Sequence, residues 1–236
     1  MSFFVDCHSH VVPSGDDGAA SVGEGVALCA GAAAHGTRLL FATPHVWPQL
    51  PLTHERERRT RDAFARTAEA AALELRLGWE LTPTRELLRE DPRRYVLEGL
   101  EAVLMEVPFT GPANLVWALA RHAEAHGLLP VIAHPERAEA SLDDPDLALR
   151  LAERGWAVQV NATSLVGRHG AAAEQIGWRL VARGDAALVA SDGHRTTRPP
   201  HLDEAYALVR ERIGEARAAK LFDGSALGLT RDRVAA

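Results

Sequence analysis

Histidine and carboxylate side chains recur along this chain at spacings that suit metal binding. His8 and His10 are one residue apart, which on a β-strand places both imidazoles on the same face. Seven further candidate metal ligands follow short apolar runs of the sequence or lie in the loop after the first apolar run. Such side chains bind divalent metal ions, and metal-bound water becomes a nucleophile near neutral pH. The nine candidate ligands are His8, His10, Asp17, His45, Glu80, Glu106, His134, Asp192 and His194.

Strand-like and helix-like segments must position these groups, and they alternate along the whole chain. The predicted strands are 3–7, 38–43, 73–77, 102–105, 129–133, 156–161 and 186–190. The predicted helices are 21–35, 53–72, 112–126, 146–154, 170–183 and 202–222. Buried strands joined by helical crossovers predict an α/β fold with a parallel sheet covered by helices. Seven strands could close into a barrel, and no linker-like tract divides residues 1–236, so we expect a single domain.

The carboxyl ends of parallel barrel strands meet at one mouth. Six of the seven predicted strands end in a candidate ligand, whereas the sixth ends in Asn161, an amide that can hydrogen-bond to a substrate. Nine ligands exceed the needs of one tetrahedral ion and indicate two or three divalent ions. Three such ions carry +6 and the four carboxylates carry −4. The net charge of +2 that remains favours the binding of anions such as a hydroxide and a phosphate.

Composition excludes several other classes of protein. The chain has 236 residues, 47% of them hydrophobic, and a net charge of −6, which gives no reason to expect nucleic-acid or membrane-surface binding. No apolar run approaches the ~20 residues that span a bilayer, and the start lacks the pattern of a signal peptide. We therefore expect a cytoplasmic protein. A cysteine-dependent phosphatase needs Cys-x5-Arg, but Pro13 and His35 stand six residues after Cys7 and Cys29.

Five motifs resemble those of the PHP (polymerase and histidinol phosphatase) superfamily. They are His8-Ser9-His10, Thr43-Pro44-His45, Gly78-Trp79-Glu80, His134-Pro135-Glu136-Arg137 and Ser191-Asp192-Gly193-His194. Segments 12–19, 105–109 and 159–167 narrow the resemblance to the metal-dependent bacterial protein-tyrosine phosphatases of capsule and exopolysaccharide loci. This resemblance implies a distorted seven-stranded (β/α) barrel with a trinuclear site. Manganese is the expected metal, with iron and zinc as alternatives.

The resemblance also implies a role for each ligand. His8, His10, Glu80 and Asp192 would hold one ion; Glu80, Glu106 and His134 a second; and Asp17, His45 and His194 the third. Glu80 would bridge the first two ions.

Two arginines match those that the family places over the phosphate. A guanidinium group binds phosphate oxygens through two parallel hydrogen bonds, so Arg137 and Arg198 are the expected catalytic and substrate-binding groups, together with Asn161. The sequence departs from the family pattern at Leu81-Thr82, where an Ile-Arg pair is common, and at Gly193, where alanine is usual.

The expected function is that of a metal-dependent phosphomonoesterase. A hydroxide that bridges metal ions would attack phosphorus, and a phenolate would leave readily because the pKa of tyrosine is near ~10. The resemblance implies phosphotyrosine on a bacterial tyrosine kinase of polysaccharide assembly as the substrate. The alternatives are a phosphatase of histidinol phosphate or a similar ester, a metal-dependent amidohydrolase, and a regulatory barrel that binds the kinase without turnover. The sequence leaves the metal, the oligomeric state and any general acid open.

Overall fold

The computed structural model describes residues 3–229. Its strands are β1 (Phe4–Ser9), β2 (Thr37–Ala42), β3 (His45–Val46), β4 (Glu74–Leu77), β5 (Glu80–Leu81), β6 (Ala102–Glu106), β7 (Leu129–Ala133), β8 (Ala157–Asn161) and β9 (Leu188–Ala190). Its helices are α1 (Val22–Ala34), α2 (His54–Ala70), α3 (Asn114–Ala125), α4 (Glu139–Asp143), α5 (Leu147–Glu153), α6 (Ala162–Leu165), α7 (Ala171–Arg183), α8 (Asp203–Ile213) and α9 (Glu215–Phe222). Strands and helices alternate as predicted, and every strand pair within the sheets is parallel.

The strands form two sheets instead of one continuous ring. One sheet has the order β1-β2-β4, and the other has the order β3-β5-β6-β7-β8-β9. The division arises because two short strands that were not predicted, β3 and β5, follow the second and third predicted strands after a break and pair in the other sheet. Pro44 separates β2 from β3 and lacks the backbone N–H that a strand ladder needs. Gly78 separates β4 from β5, where an added Cβ would lie 2.5 Å from the Leu97 side chain.

A short seam joins the first strand to the segment after the last one. Ser9 and Gly193 form an isolated parallel bridge. Asp192 N donates to His8 O at 2.9 Å, and His10 N donates to Gly193 O at 2.7 Å. The two ends of the strand series therefore lie side by side, and the metal-ligand candidates that follow them are brought together.

Alternating side chains divide the core into an inner and an outer layer, as the two-residue period of strands requires. In β6, Ala102 and Leu104 belong to an inner cluster, whereas Val103 and Met105 pack in the cluster that includes the helices. The inner cluster gathers side chains from β1, β2, β6, β7, β8 and β9. The sheets thus wrap around a common apolar interior, which confirms the predicted α/β class.

The first two helices begin at a hydroxyl side chain that caps them. The hydroxyl of Ser21 accepts a hydrogen bond from Glu24 N and begins α1, and Thr53 does the same for α2 through Arg56 N. The prediction of one helix over 202–222 is wrong, because Gly214 has a φ of 84° and separates α8 from α9. Within residues 3–229 no helix is both long and apolar enough to cross a membrane.

Candidate metal and phosphate site

The first two histidines lie at the end of β1 with their rings turned toward each other. Both are fully buried, and their Nε2 atoms are 3.2 Å apart. His8 Nδ1 lies 3.0 Å from Gln159 Oε1. Because an amide oxygen only accepts, the imidazole donates from Nδ1 and keeps the Nε2 lone pair directed into the site. This is the arrangement in which a second residue fixes the tautomer of a metal-binding histidine.

Glu80 is the centre of the site. Its Oε2 lies 3.1 Å from His8 Nε2, 3.3 Å from His10 Nε2 and 2.8 Å from His45 Nδ1, and its Oε1 lies 3.0 Å from His134 Nε2. Burial by itself raises the pKa of a carboxyl group. Here the surrounding imidazoles, His8 and His45 foremost, hold the pKa of Glu80 well below its usual range. The carboxylate is therefore an anion shared by four histidines.

Glu106 is a second buried glutamate of the site. Atoms of Glu80, Glu106 and His134 lie within 4.8 Å of one another, and the Thr82 hydroxyl donates to Glu106 Oε1. Burial, together with the negative charge of Glu80, raises the pKa of Glu106 to about 8. Two buried carboxylates this close repel each other, and a divalent cation between them would remove that repulsion.

A third set of side chains surrounds the His10 ring. The ring centroids of His45 and His194 lie 4.1 and 4.0 Å from that of His10. Asp17 Oδ1 lies 3.5 Å from His45 Nε2 and 3.3 Å from His194 Nε2, although 59% of the Asp17 side chain is exposed. Asp16, which was not among the predicted ligands, is the buried member of the pair. It accepts a hydrogen bond from His45 N at 3.0 Å.

Asp192 links the metal-ligand candidates to the predicted phosphate-binding residues. Its Oδ1 lies 3.4 Å from His8 Nε2. Its Oδ2 lies 2.5 Å from Arg137 Nη1, 3.5 Å from Arg198 Nη1 and 3.0 Å from Asn161 Nδ2. Donors from three separate segments of the chain thus meet at one carboxylate oxygen, as they would around an oxygen of a phosphate group.

Two of the strand ends are held in an uncommon backbone conformation. Among residues 3–229, the non-glycine residues with positive φ are His134 at 32° and Asp192 at 49°. Such backbone costs of the order of 1–3 kcal/mol per residue and persists where surrounding contacts hold it. Both residues lie where a strand ends at this site, so the strain aims their side chains at the other candidate ligands.

Unsatisfied polar atoms test whether this set of side chains fits metal ions. Several buried nitrogen and oxygen atoms here have no hydrogen-bond partner with acceptable geometry, and buried polar groups are normally paired. They are His10 Nδ1, His45 Nδ1, Glu80 Oε2, Glu106 Oε2 and His134 Nδ1. Imidazole nitrogens and carboxylate oxygens are what manganese, iron and zinc bind. The residues present therefore fit a cluster of divalent cations.

All nine predicted ligands are thus gathered at one end of the strands, and the three predicted phosphate-binding residues lie beside them. Three further residues of the site, Asp16, Gln159 and His169, were not predicted. Asp16 stands next to Asp17, and only burial distinguishes the two. His169 lies in the loop before α7, with its Nδ1 3.0 Å from Ser164 Oγ. Burial and the charge of Arg137 lower the pKa of His169 to about 4.

Comparison with known proteins bears on what this arrangement does. The family model described as capsular polysaccharide synthesis, CpsB/CapC, matches residues 4–229. The chain belongs to this CpsB/CapC family. The tyrosine-protein phosphatase YwqE of Bacillus subtilis (strain 168) is 29% identical, over 98% of this chain and 93% of that protein. The tyrosine-protein phosphatase CpsB of Streptococcus pneumoniae is 26% identical, over 92% of this chain and 94% of that protein.

Solved structures of this CpsB/CapC family support the same relationship. A chain from the crystal structures of YwqE from Bacillus subtilis and CpsB from Streptococcus pneumoniae, described as unique metal-dependent tyrosine phosphatases, has a TM-score of 0.78 to this protein. It is 26% identical, and the match covers 92% of this chain and 90% of that chain. A D-hydantoinase has a TM-score of 0.57 at 13% identity, a likeness in fold alone. The family expected from the sequence motifs is therefore confirmed.

Proposed function

We propose that this protein is a metal-dependent tyrosine phosphatase, formed by residues 1–236 as one domain. One observation carries the proposal. Donors from Arg137, Arg198 and Asn161 meet at Asp192, and the same carboxylate touches His8, so a phosphate-binding group adjoins a cluster of metal ligands. The activities in the names of YwqE and CpsB support this function.

The proposal includes three divalent ions, with manganese as the expected metal and iron or zinc as alternatives. The residues that would hold them are His8, His10, Asp17, His45, Glu80, Glu106, His134, Asp192 and His194. When bound, such ions supply an activated water molecule and stabilise negative charge on phosphoryl oxygens.

The chain's own residues bind and orient the ester. Arg137 and Arg198 would donate to phosphate oxygens, and Asn161 adds a neutral donor that helps to fix the orientation of the group. In the structure both guanidinium groups lie against Asp192, so substrate binding would exchange a carboxylate partner for a phosphate one. Arg198 also contacts the His194 ring. A phenolate leaves without a strong acid because the pKa of tyrosine is near ~10.

The partner is part of the same proposal. The description of the family refers to capsular polysaccharide synthesis. This supports a phosphotyrosine-bearing protein of that process as the substrate, and we propose a bacterial tyrosine kinase. We propose a cytoplasmic location, where such a kinase would present its phosphotyrosine. A metal-dependent amidohydrolase would typically use a carboxylated lysine as a metal ligand at a strand end. The chain's single lysine, Lys220, lies in α9 instead, so this alternative has little support.

One assay separates this function from its alternatives. The purified protein, with its metal content measured, is incubated with a phosphotyrosine peptide, the matched phosphoserine peptide and histidinol phosphate. Hydrolysis of the phosphotyrosine peptide that a chelator abolishes and added Mn²⁺ restores supports the proposal. Preference for histidinol phosphate would replace it with a small-molecule phosphatase. Kinase binding without turnover of any ester would replace it with the regulatory barrel.

A further inference from the structure

Two exposed apolar side chains line a cleft that also contains Arg137, the proposed phosphate-binding residue. Among residues 3–229, the exposed large hydrophobic side chains are Phe109, at 43%, and Leu142, at 48%. Both line a single cleft of about 390 Å³, whose wall also includes Arg137, His169 and the beginning of α7. Exposed hydrophobic residues that are scattered singly need no explanation, whereas apolar side chains gathered in a concave surface are typical of ligand-binding clefts.

The Phe109 ring connects this cleft to the metal and phosphate site. It stacks on the His134 ring with a centroid distance of 5.4 Å and an interplanar angle of 4°. The guanidinium carbon of Arg137 lies 4.6 Å from the Phe109 ring centroid. The same guanidinium reaches Asp192 Oδ2 at 2.5 Å. Arg137 is therefore the shared wall between the apolar cleft and the place where the phosphate would bind.

The loop that carries this ring is held in place, so the exposure of Phe109 is built into the fold. Glu139 N donates to Phe109 O at 2.9 Å, and Gly111 N donates to Glu139 Oε2 at 3.2 Å. These bonds tie the segment after β6 to the first turn of α4, which also carries Leu142. One short helix thus fixes both apolar walls of the cleft relative to Arg137.

We propose that this cleft binds the aromatic ring of the phosphotyrosine substrate, with Phe109 and Leu142 as its specificity-determining walls. The inference rests on the proposed function. A phosphate held by Arg137 carries its ester substituent beside the Phe109 ring, where an aryl group gains apolar contact and ring stacking. A serine ester has no ring to fill the cleft. The site would therefore select aryl over alkyl phosphates by binding as well as by leaving-group chemistry.

Non-hydrolysable phosphonates test this without the difference in leaving groups. Phenylphosphonate and methylphosphonate share the head group and differ in the ring, so the ratio of their inhibition constants reports the cleft alone. We expect the protein to bind phenylphosphonate at least about 10-fold more tightly. Phe109→Ala and Leu142→Ala should each reduce that preference several-fold, because they weaken the binding of phenylphosphonate more than that of methylphosphonate. Phe109→Tyr, which keeps the ring, should retain the preference.

Leu87→Ala, which truncates a buried leucine of another cavity, is the control, with its melting temperature measured to show that it folds. Leu87 lines a different cavity, of about 410 Å³, on the side of the site where Trp47 stacks on His45. We expect this variant to keep the preference for phenylphosphonate. Loss of the preference in Leu87→Ala but not in Phe109→Ala would place the ring in the other cavity and overturn the inference.

Three further outcomes separate this inference from the proposed function. If the protein hydrolyses phosphotyrosine but Phe109→Ala and Leu142→Ala leave the ratio unchanged, the inference is wrong and the function stands. Equal losses for both phosphonates also overturn it, because the two side chains would then support the site as a whole. If the metal-loaded protein hydrolyses no phosphate ester, the function fails and the inference fails with it.

Discussion

Replacing Glu80 with glutamine should remove most of the metal-dependent stability while leaving the packing of the site intact. Glutamine has nearly the same size, but it is neutral and cannot serve as the anion shared by four imidazoles. The nearest of these contacts is 2.8 Å and the farthest is 3.3 Å, so the charge is lost at the centre of the site. We expect metal affinity to fall by at least about 100-fold, the upper end of what a supporting residue contributes.

This loss translates into a measurable shift of the melting temperature. A metal at 100 times its Kd stabilises the folded state by about 2.7 kcal/mol, whereas at one Kd it stabilises by about 0.4 kcal/mol. The difference, about 2.3 kcal/mol, corresponds to roughly 5–9 °C for a domain of this size. The assay is differential scanning fluorimetry with added Mn²⁺ and with chelator, alongside metal analysis of the purified variant.

Glu136→Gln is the control for this experiment. Glu136 is also a buried glutamate, but its Oε1 accepts from Asn161 N at 2.9 Å and from Ser164 Oγ at 2.7 Å, which are not among the four imidazoles around Glu80. It should keep the full metal-dependent shift. If Glu80→Gln binds the same amount of metal as the parent and shows the same Mn²⁺-dependent rise in melting temperature, Glu80 is not the shared anion of the site.

Three other outcomes are expected. Arg137→Lys keeps a charge but loses the planar fork, so kcat/KM for a phosphotyrosine peptide should fall by about 100-fold or more while metal content is unchanged. Gly193→Ala places a Cβ 2.5 Å from Pro200 Cα and should lower the free energy of unfolding by about 1–3 kcal/mol in chemical denaturation; unchanged stability would show that Pro200 does not press on this position. Glu57 Oε2 pairs with Arg94 Nη2 at 2.9 Å, and although burial opposes it, this pairing lowers the pKa of Glu57. The stabilisation is therefore present above about pH 4.3, the ordinary glutamate pKa, and lost as the pH falls further. Glu57→Gln should cost up to about 1 kcal/mol at pH 7 and progressively less as the pH falls below about 4.3; a cost that does not fall in acid would show that the charge is not its origin.

The order of elements and the gathering of the ligands followed from the sequence because parallel strands deliver their carboxyl ends to one edge. A His or Glu after an apolar run, such as His134 after β7, needs only that rule to be placed. The breaks between strands at Pro44 and Gly78 could not be predicted from the sequence. Both residues were visible, but whether a strand bends or continues there depends on neighbours such as Leu97, which are distant in sequence.

Burial and side-chain direction were the other limits. Asp16 and Asp17 are indistinguishable by type and spacing, and the fold buries one and exposes the other. The exposure of Phe109 could not be predicted either, because nothing in the sequence shows that hydrogen bonds join its loop to the α4 segment. The departure at Leu81-Thr82 gains a physical account, since the Thr82 hydroxyl supports Glu106 where the family often has arginine.

The narrow seam between β1 and the segment after β9 has a consequence for how the chain would come apart. Ligands on its two sides, His8 and His10 on one and Asp192 and His194 on the other, are separated by more than 180 residues of sequence. Cations bound by ligands from both sides would hold the first strand and the segment after the last strand together. Removal of the cations should therefore weaken this seam while the pairing of β1 with β2 remains.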